Sequence, residues 1–184
     1  MTVLRRSYNA DVLRGRGAIG GSGRIVRVEN FSSKYVPSRN VDIWLPDNYT
    51  PTKKYAVLYM HDGQMLFDSS ITWNKQEWGV DETVTKLIQQ QKIRECIVVG
   101  IWNGGKSRHP EYFPQKPFES LSKENQKLVY DAYRSGGQSI FSGLAISSDN
   151  YLKFLTVLQV ASDPWFLTPL KASKKHLFVL WINF

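Results

Sequence analysis

Directly after the apolar run Tyr55-Ala56-Val57-Leu58-Tyr59-Met60 the chain reads His61-Asp62-Gly63-Gln64, a set of polar residue types capable of chemistry at the end of such a run. His61 can move a proton near neutral pH, or can anchor the loop through its ring nitrogens. Asp62 can cap a turn. Further on, Glu77, Trp78 and Asp81 can line a cleft, or can be a helix start with a packed indole. Asp81 and Glu82 are adjacent, and adjacent helix positions point apart, so they are not read as a working carboxylate pair. The one cysteine, Cys96, stands in Glu95-Cys96-Ile97-Val98-Val99-Gly100. It excludes an intramolecular disulfide and reads as a small buried hydrophobe, since a thiolate nucleophile would need a histidine beside it in space. Gly15-Arg16-Gly17-Ala18-Ile19-Gly20 fits GxGxxG, but it follows no strand pattern and opens no helical one, so it is not read as a dinucleotide site. Six Trp and nine Tyr suit a packed core or a sugar-facing surface, with the core as the default reading.

The elements around these residues have recognisable patterns. Arg24 to Glu29 is rich in β-branched residues, and Val41 to Leu45 alternates before Pro46-Asp47-Asn48-Tyr49 ends it with turn residues. Residues 55 to 60 are apolar throughout, as a strand covered on both faces should be. Val80, Val84, Leu87 and Ile88 fall at helical spacing within 78 to 92, with acids early and Lys92 late. Cys96 to Trp102 follows as a second buried strand. A buried strand, a helix and another buried strand predict a parallel pair and an α/β fold. Residues 103 to 146 are polar and irregular, with Pro110, Pro114, Pro117 and Gly136-Gly137, and with a short helix expected over Lys123 to Tyr133. Such an excursion after a strand's C-terminal end is where α/β proteins place binding loops. Ser147-Ser148-Asp149-Asn150 offers an N-cap for a helix from Tyr151 to about Val160. Asp163-Pro164 and Pro169 then break the pattern. Leu177 to Phe184 is apolar, either one more strand or an exposed tail through which the chain would self-associate.

A chain of 184 residues with 42% hydrophobic content holds one folded domain. Lys and Arg outnumber Asp and Glu, 24 to 16, for a net charge of +8. The basic clusters are short and scattered (Arg5-Arg6, Arg14 to Arg16, Lys53-Lys54, Lys171 to Lys175), and none forms a stripe interleaved with aromatics, so no nucleic-acid partner is expected. No apolar run of about 20 residues predicts a membrane span. Residues 1 to 23 are basic and end in Gly20-Gly21-Ser22-Gly23, which reads as a flexible leader. They have no apolar stretch of the kind a signal peptide needs, so the compartment is left open, with cytoplasm as the default. No cofactor and no metal are expected.

Val57 to Asp68, read as Val-Leu-Tyr-Met-His-Asp-Gly-Gln-Met-Leu-Phe-Asp, resembles the esterase D-like family of putative esterases. So do Arg39 to Pro46, Trp73 to Glu82, Val98 to Asn103, Glu111-Tyr112-Phe113-Pro114 and Ser148 to Leu155. Ordered blocks at matching spacing are more specific than any single motif, and they cover roughly residues 24 to 156. The resemblance implies an α/β-hydrolase sheet that cleaves esters through a Ser–His–acid triad, with small-molecule or carbohydrate esters, including siderophore esters, as partners. In that class a backbone N–H after the third strand helps to hold the oxyanion. The resemblance places this donor at Gln64, with Gly63 permitting the sharp turn and Asp62 and His61 shaping the loop. It makes His61 a loop anchor, because the family's catalytic base comes late in the chain. Trp73, Glu77, Trp78, Asp81, Trp102 and Asn103 become candidates for the substrate cleft. The family is often exported.

The nucleophile of this class sits on a strained strand-to-helix turn, usually Gly-x-Ser-x-Gly. No serine here satisfies that frame: Ser22 follows Gly20 but precedes Arg24, and Ser139 follows Gly137 but precedes Phe141. The expected organisation is therefore a flexible leader at 1–23, the N-terminal and incomplete part of an α/β-hydrolase domain at 24–156, and a divergent tail at 157–184 of the kind a shifted reading frame leaves. The sheet is expected to lack its central nucleophile strand, and the chain to lack the triad. The competing reading is a non-catalytic module that keeps an ester- or sugar-binding face through Trp73, Trp78 and Trp102.

Overall fold

The computed structural model of the chain describes residues 10–11, 23–135, 145–161 and 172–180. Most of the basic leader, the Gly15–Gly20 motif, the breaks at Asp163-Pro164 and Pro169, and the last four residues lie outside the described residues. The chain forms two compact units, one containing the sheet and one built from 33–37 and 104–160.

The sheet unit contains β1 (Ala10–Asp11), β2 (Arg24–Phe31), β3 (Arg39–Leu45), β4 (Tyr55–His61), β5 (Cys96–Ile101) and β6 (Ala172–Leu180), in the order β1-β2-β3-β5-β4-β6. β1, β2, β3 and β5 pair antiparallel, whereas β5 and β6 flank β4 in parallel. The expected parallel pair is thus β4 with β5, joined through the helix α1 (Val80–Gln89). β5 is buried at every position, which explains why it carries no polar alternation. β3 differs from its sequence pattern. Asp42, at the polar phase of the alternation, is only 2% exposed, because β3 is an inner strand and Arg27 stands opposite it on β2.

α1 starts at Val80 rather than 78 and ends at Gln89 rather than 92. At the front, the N–H groups of Trp78 and Val80 are bonded to Met65 O and Leu66 O (2.9 and 3.2 Å), and Gly79 between them is left-handed (φ 57°). At the back, Gln91 takes the left-handed conformation that ends helices (φ 57°). One face of α1 (Val80, Val84, Ile88) packs with Trp44, Met60, Leu66, Phe67, Cys96 and Val98 into the core of this unit.

β6 decides between the two readings of the C-terminal apolar stretch in favour of one more strand, at the edge of the sheet beside β4. Residues 172–180 pair along the free side of β4, with Val57 opposite Leu177 and Met60 opposite Leu180. A strand on each side gives the buried β4 backbone partners for its N–H and C=O groups.

In the second unit the stretch expected to be irregular contains a 3-10 turn at Gly105–Ser107, α2 (Arg108–Tyr112) and α3 (Gln115–Glu119). Pro110 and Pro117 hid these helices. Each falls within the first turn, where a missing N–H breaks no helical bond. α4 (Lys123–Ser135) and α5 (Ser148–Ala161) follow. Aromatic contacts tie the unit together: Tyr112 with Tyr151 at 5.2 Å, and Phe118 edge-on to both Phe113 and Tyr130 at 5.4 and 5.3 Å. Among the described residues no helix is long and apolar enough to cross a membrane.

Candidate active site

The strand order locates the crevice. The chain leaves β4, crosses by α1 to β5 on one side, and its next strand, β6, lies on the other side of β4. Open α/β sheets bind ligands outside the carboxyl end of the strand at which the order reverses. Here that is the end of β4, where His61 (6% exposed) leads into Asp62 and a 3-10 turn at Gly63–Met65.

Two constraints hold this turn. Asp62 is left-handed (φ 54°, ψ 45°), a conformation that asparagine and aspartate tolerate better than other side chains. Its carbonyl accepts the Met65 N–H at 2.8 Å, and its Oδ1 accepts Nδ2 of Asn103 at 2.6 Å. Gly63 is not itself the left-handed residue of this turn. Its backbone passes against β5, and a Cβ there would lie 2.5 Å from the carbonyl carbon of Gly100. Gly100 answers in kind: its own Cβ would lie 2.9 Å from Leu66 Cδ1 and 3.2 Å from Gly63 Cα. The two glycines make a backbone-to-backbone contact that any side chain would open.

Asn103, just past β5, grips the turn twice. Its N–H donates to Gln64 Oε1 (3.2 Å) and its amide to Asp62. The preceding residue, Trp102, is fixed in turn: its Nε1 donates to Asp42 Oδ2 (2.8 Å), while Arg27 forms a two-pronged ion pair with Asp42 (2.7 and 2.9 Å) and lies over the indole at 4.6 Å. The hydrogen bond to Asp42 raises the Arg27 pKa further. Sequence reasoning missed Arg27 and Asp42. The signal was a charged residue at the centre of each of two adjacent β-patterned segments, which become cross-strand partners only once the register is known.

The fold thus brings together Asp62, Gly63, Gln64, Trp102 and Asn103. The remaining candidates stand elsewhere. Trp73 is 86% exposed on the loop before α1. Trp78 is half-buried and packs on the core. Asp81 is 4% exposed, and it corrects the expectation that it and Glu82 point apart, because their carboxyl groups are hydrogen-bonded. At a helix N-terminus the third residue can fold back over the cap. Glu82 does so across Gly79, where even a Cβ would lie 3.3 Å from its Oε2. Burial, and then the bond to Glu82 and its charge, push the Asp81 carboxyl up to about 7. Burial alone pushes the Cys96 thiol up to about 11, so it is not an activated nucleophile. Ser107 has Gly105 two residues before it and His109 two after; its hydroxyl lies 3.2 Å from Gly104 O and 3.0 Å from Glu111 Oε1. Among the described residues no group of three His, Cys, Asp or Glu is placed to hold a metal ion.

A mixed sheet in this strand order, with a glycine-tight turn at the end of its switch-point strand, places the chain in the α/β-hydrolase class of fold. The sequence profile of the family described as Putative esterase matches residues 32–133, and the chain belongs to that family. No curated protein matches the sequence. The BES protein from Bacillus cereus has a similar structure (TM-score 0.51, 14% identity, 97% of this chain and 54% of that one), which supports the fold. The enterobactin hydrolase IroE in complex with DFP aligns at 0.47 with 16% identity (89% and 54%). The CE1 ferulic acid esterase from Anaeromyces mucronatus aligns at 0.44 with 15% identity (97% and 55%). The chain spans about half the length of these structures.

Gly63→Ala is expected to lower stability by about 1–3 kcal/mol through overpacking against Gly100, read as a lower urea midpoint with an unchanged slope. Asn103→Ala removes the side-chain grip on Asp62 and keeps the backbone one on Gln64. It should cost about 1–3 kcal/mol and speed amide exchange in residues 62–66 while leaving α4 protected; unchanged exchange in 62–66 would contradict the geometry.

Proposed function

We propose that this chain supplies the oxyanion-binding side of a carboxylic-ester hydrolase, and that as a 184-residue chain it does not turn esters over. The observation that carries the first part is the turn at the end of β4. In a 3-10 turn that begins after Asp62, the N–H groups of Gly63 and Gln64 precede the first intrahelical bond, and geometry leaves them pointing out of the turn. In this reading the Gln64 N–H donates to the substrate's carbonyl oxygen as it becomes negative. The paired glycines and Asn103 fix that donor before the substrate arrives, so little reorganisation is needed when charge develops. His61 anchors the loop from the strand end, and Asp62 takes the left-handed position that aims Gln64. Trp102 and Asn103 border the cleft, with Glu77, Trp78 and Asp81 behind the turn.

The second part rests on the residues present. No serine has the Gly-x-Ser-x-Gly frame. Ser107 keeps one of the two glycines, but its backbone is relaxed (φ −84°, ψ −4°), unlike a strained nucleophile elbow. The substrate class is that of the family, small-molecule or carbohydrate esters, with the feruloyl and siderophore esters of the similar structures as the first to test. The organisation follows the same reading, with a leader at 1–23, the hydrolase portion at 24–156 and a divergent tail from 157. In a p-nitrophenyl ester assay the purified chain should hydrolyse at the buffer rate, and a fluorophosphonate probe should label no serine. Stoichiometric labelling of one serine with turnover would end the inactive reading.

One observation favours a second reading, retention of a binding face without catalysis. Trp73 exposes most of its indole to solvent, an arrangement suited to stacking on a sugar or aromatic acyl ring. On this reading, Trp73→Ala abolishes binding of a feruloylated oligosaccharide in calorimetry without lowering the melting temperature. Equal binding by the variant would dispose of it.

A further inference from the structure

Behind the turn lies a group of acids with no cation among them. Asp81 is 4% exposed, and its Oδ1 has no hydrogen-bond partner. Glu82 Oε2 and Glu77 Oε2 are likewise buried without partners. A hydrogen bond from the neighbouring Glu82 carboxyl is, after burial, the next cause that raises the Asp81 pKa. Two ionised carboxylates are acceptors only, so that bond exists only when one of the pair carries a proton. The charged groups that act on Asp81 are both acids, Glu82 on α1 and Glu77 on the preceding loop. Asp68, earlier on that loop, acts on Glu77. The basic residue on α1, Lys86, is exposed in its last turn. The acids do not converge as the ligand set of a metal would.

From this cluster we infer that Asp81 and Glu82 share a proton that locks the start of α1, and through it the Gly63–Met65 turn, so that the turn loosens when the proton is lost. The mechanical link is short. The N–H groups of Trp78 and Val80, on either side of the Gly79 cap, are the donors to Met65 O and Leu66 O, immediately beyond Gln64. Losing the proton turns the Asp81–Glu82 hydrogen bond into a repulsion beside a third carboxylate. The helix start can relieve that repulsion by moving away from the turn. The step transfers one proton from the pair to solvent and changes no other bond. The inference needs no esterase activity, so it stands or falls apart from the proposed function.

The sign follows from the shift in Asp81. Its carboxyl is held up to about 7 in the folded chain and returns to the ordinary carboxylate range when unfolded. The folded state therefore binds the extra proton between about pH 4 and about pH 7. The stabilisation is complete at the lower end and is lost as pH rises through the folded value. The test is thermal melting and amide exchange of the full chain at pH 5.5 and pH 8.5, each exchange rate divided by its intrinsic rate. Wild type should lose about 5 °C between the two and lose protection in residues 63–66. Asp81→Asn, whose amide donates to Glu82 at any pH, should be flat in both measurements. Glu82→Gln, which removes the like charge, should move the midpoint of the loss to lower pH. A wild-type profile without slope overturns the inference, as does an Asp81→Asn profile with the wild-type slope. A rise in wild-type melting temperature at pH 8.5 on adding calcium, absent in Asp81→Asn, would also overturn it, by assigning the cluster to a cation instead of a proton.

Discussion

The contact between the backbones of Gly63 and Gly100 is the constraint from which the rest of the site follows. A turn that must present its N–H groups beyond the end of a parallel strand has to be held against something rigid. The rigid body here is β5, which is buried along its whole length and hydrogen-bonded to β4 on one side and β3 on the other. With no Cβ on either residue, the turn approaches β5 more closely than any side chain would allow. That approach brings Leu66 and Phe67 into the core, and their burial keeps the turn down.

Around this contact the polar groups form a chain of fixation that runs through the sheet. Arg27 and Asp42 meet across β2 and β3, where a partly buried ion pair is sustained by its two-pronged geometry and by the indole N–H of Trp102. Removing any one member would leave a buried charge or donor without its partner, so the three act together. Their effect on the turn is indirect: they hold Trp102, and Asn103 next to it reaches both Asp62 and Gln64. A backbone donor in such a turn gains its value from being stationary, and the stationary part originates two strands away.

The acids at the start of α1 are organised on a different principle. A helix N-terminus favours negative charge, which fits Asp81 and Glu82 in the first turn. Burial opposes it, and with Glu82 and Glu77 close by the opposition is the larger effect, which raises the Asp81 pKa. The same loop therefore joins a turn that is rigid by packing to a helix start whose hold depends on protonation.

The strands β2 to β5, the helix between β4 and β5, and the family blocks were readable from residue order, because apolar period and turn chemistry are local properties. The polar break after Met60 marked the site for the same reason. Other features needed the third dimension. The alternation in β3 suggested an outward Asp42, and only the neighbouring strands show that this face is covered. The helices around Pro110 and Pro117 were hidden because a proline is tolerated or disruptive according to its place in the first turn. Residues 172–180 could pair or stay exposed on composition alone, and the free side of β4 decided for pairing. The sequence by itself determined which segments want to be strand or helix and which residues can do chemistry. The tertiary structure alone decided which glycines touch, which carboxylates share a bond and which amide grips the turn, since those depend on distances between residues far apart in the chain.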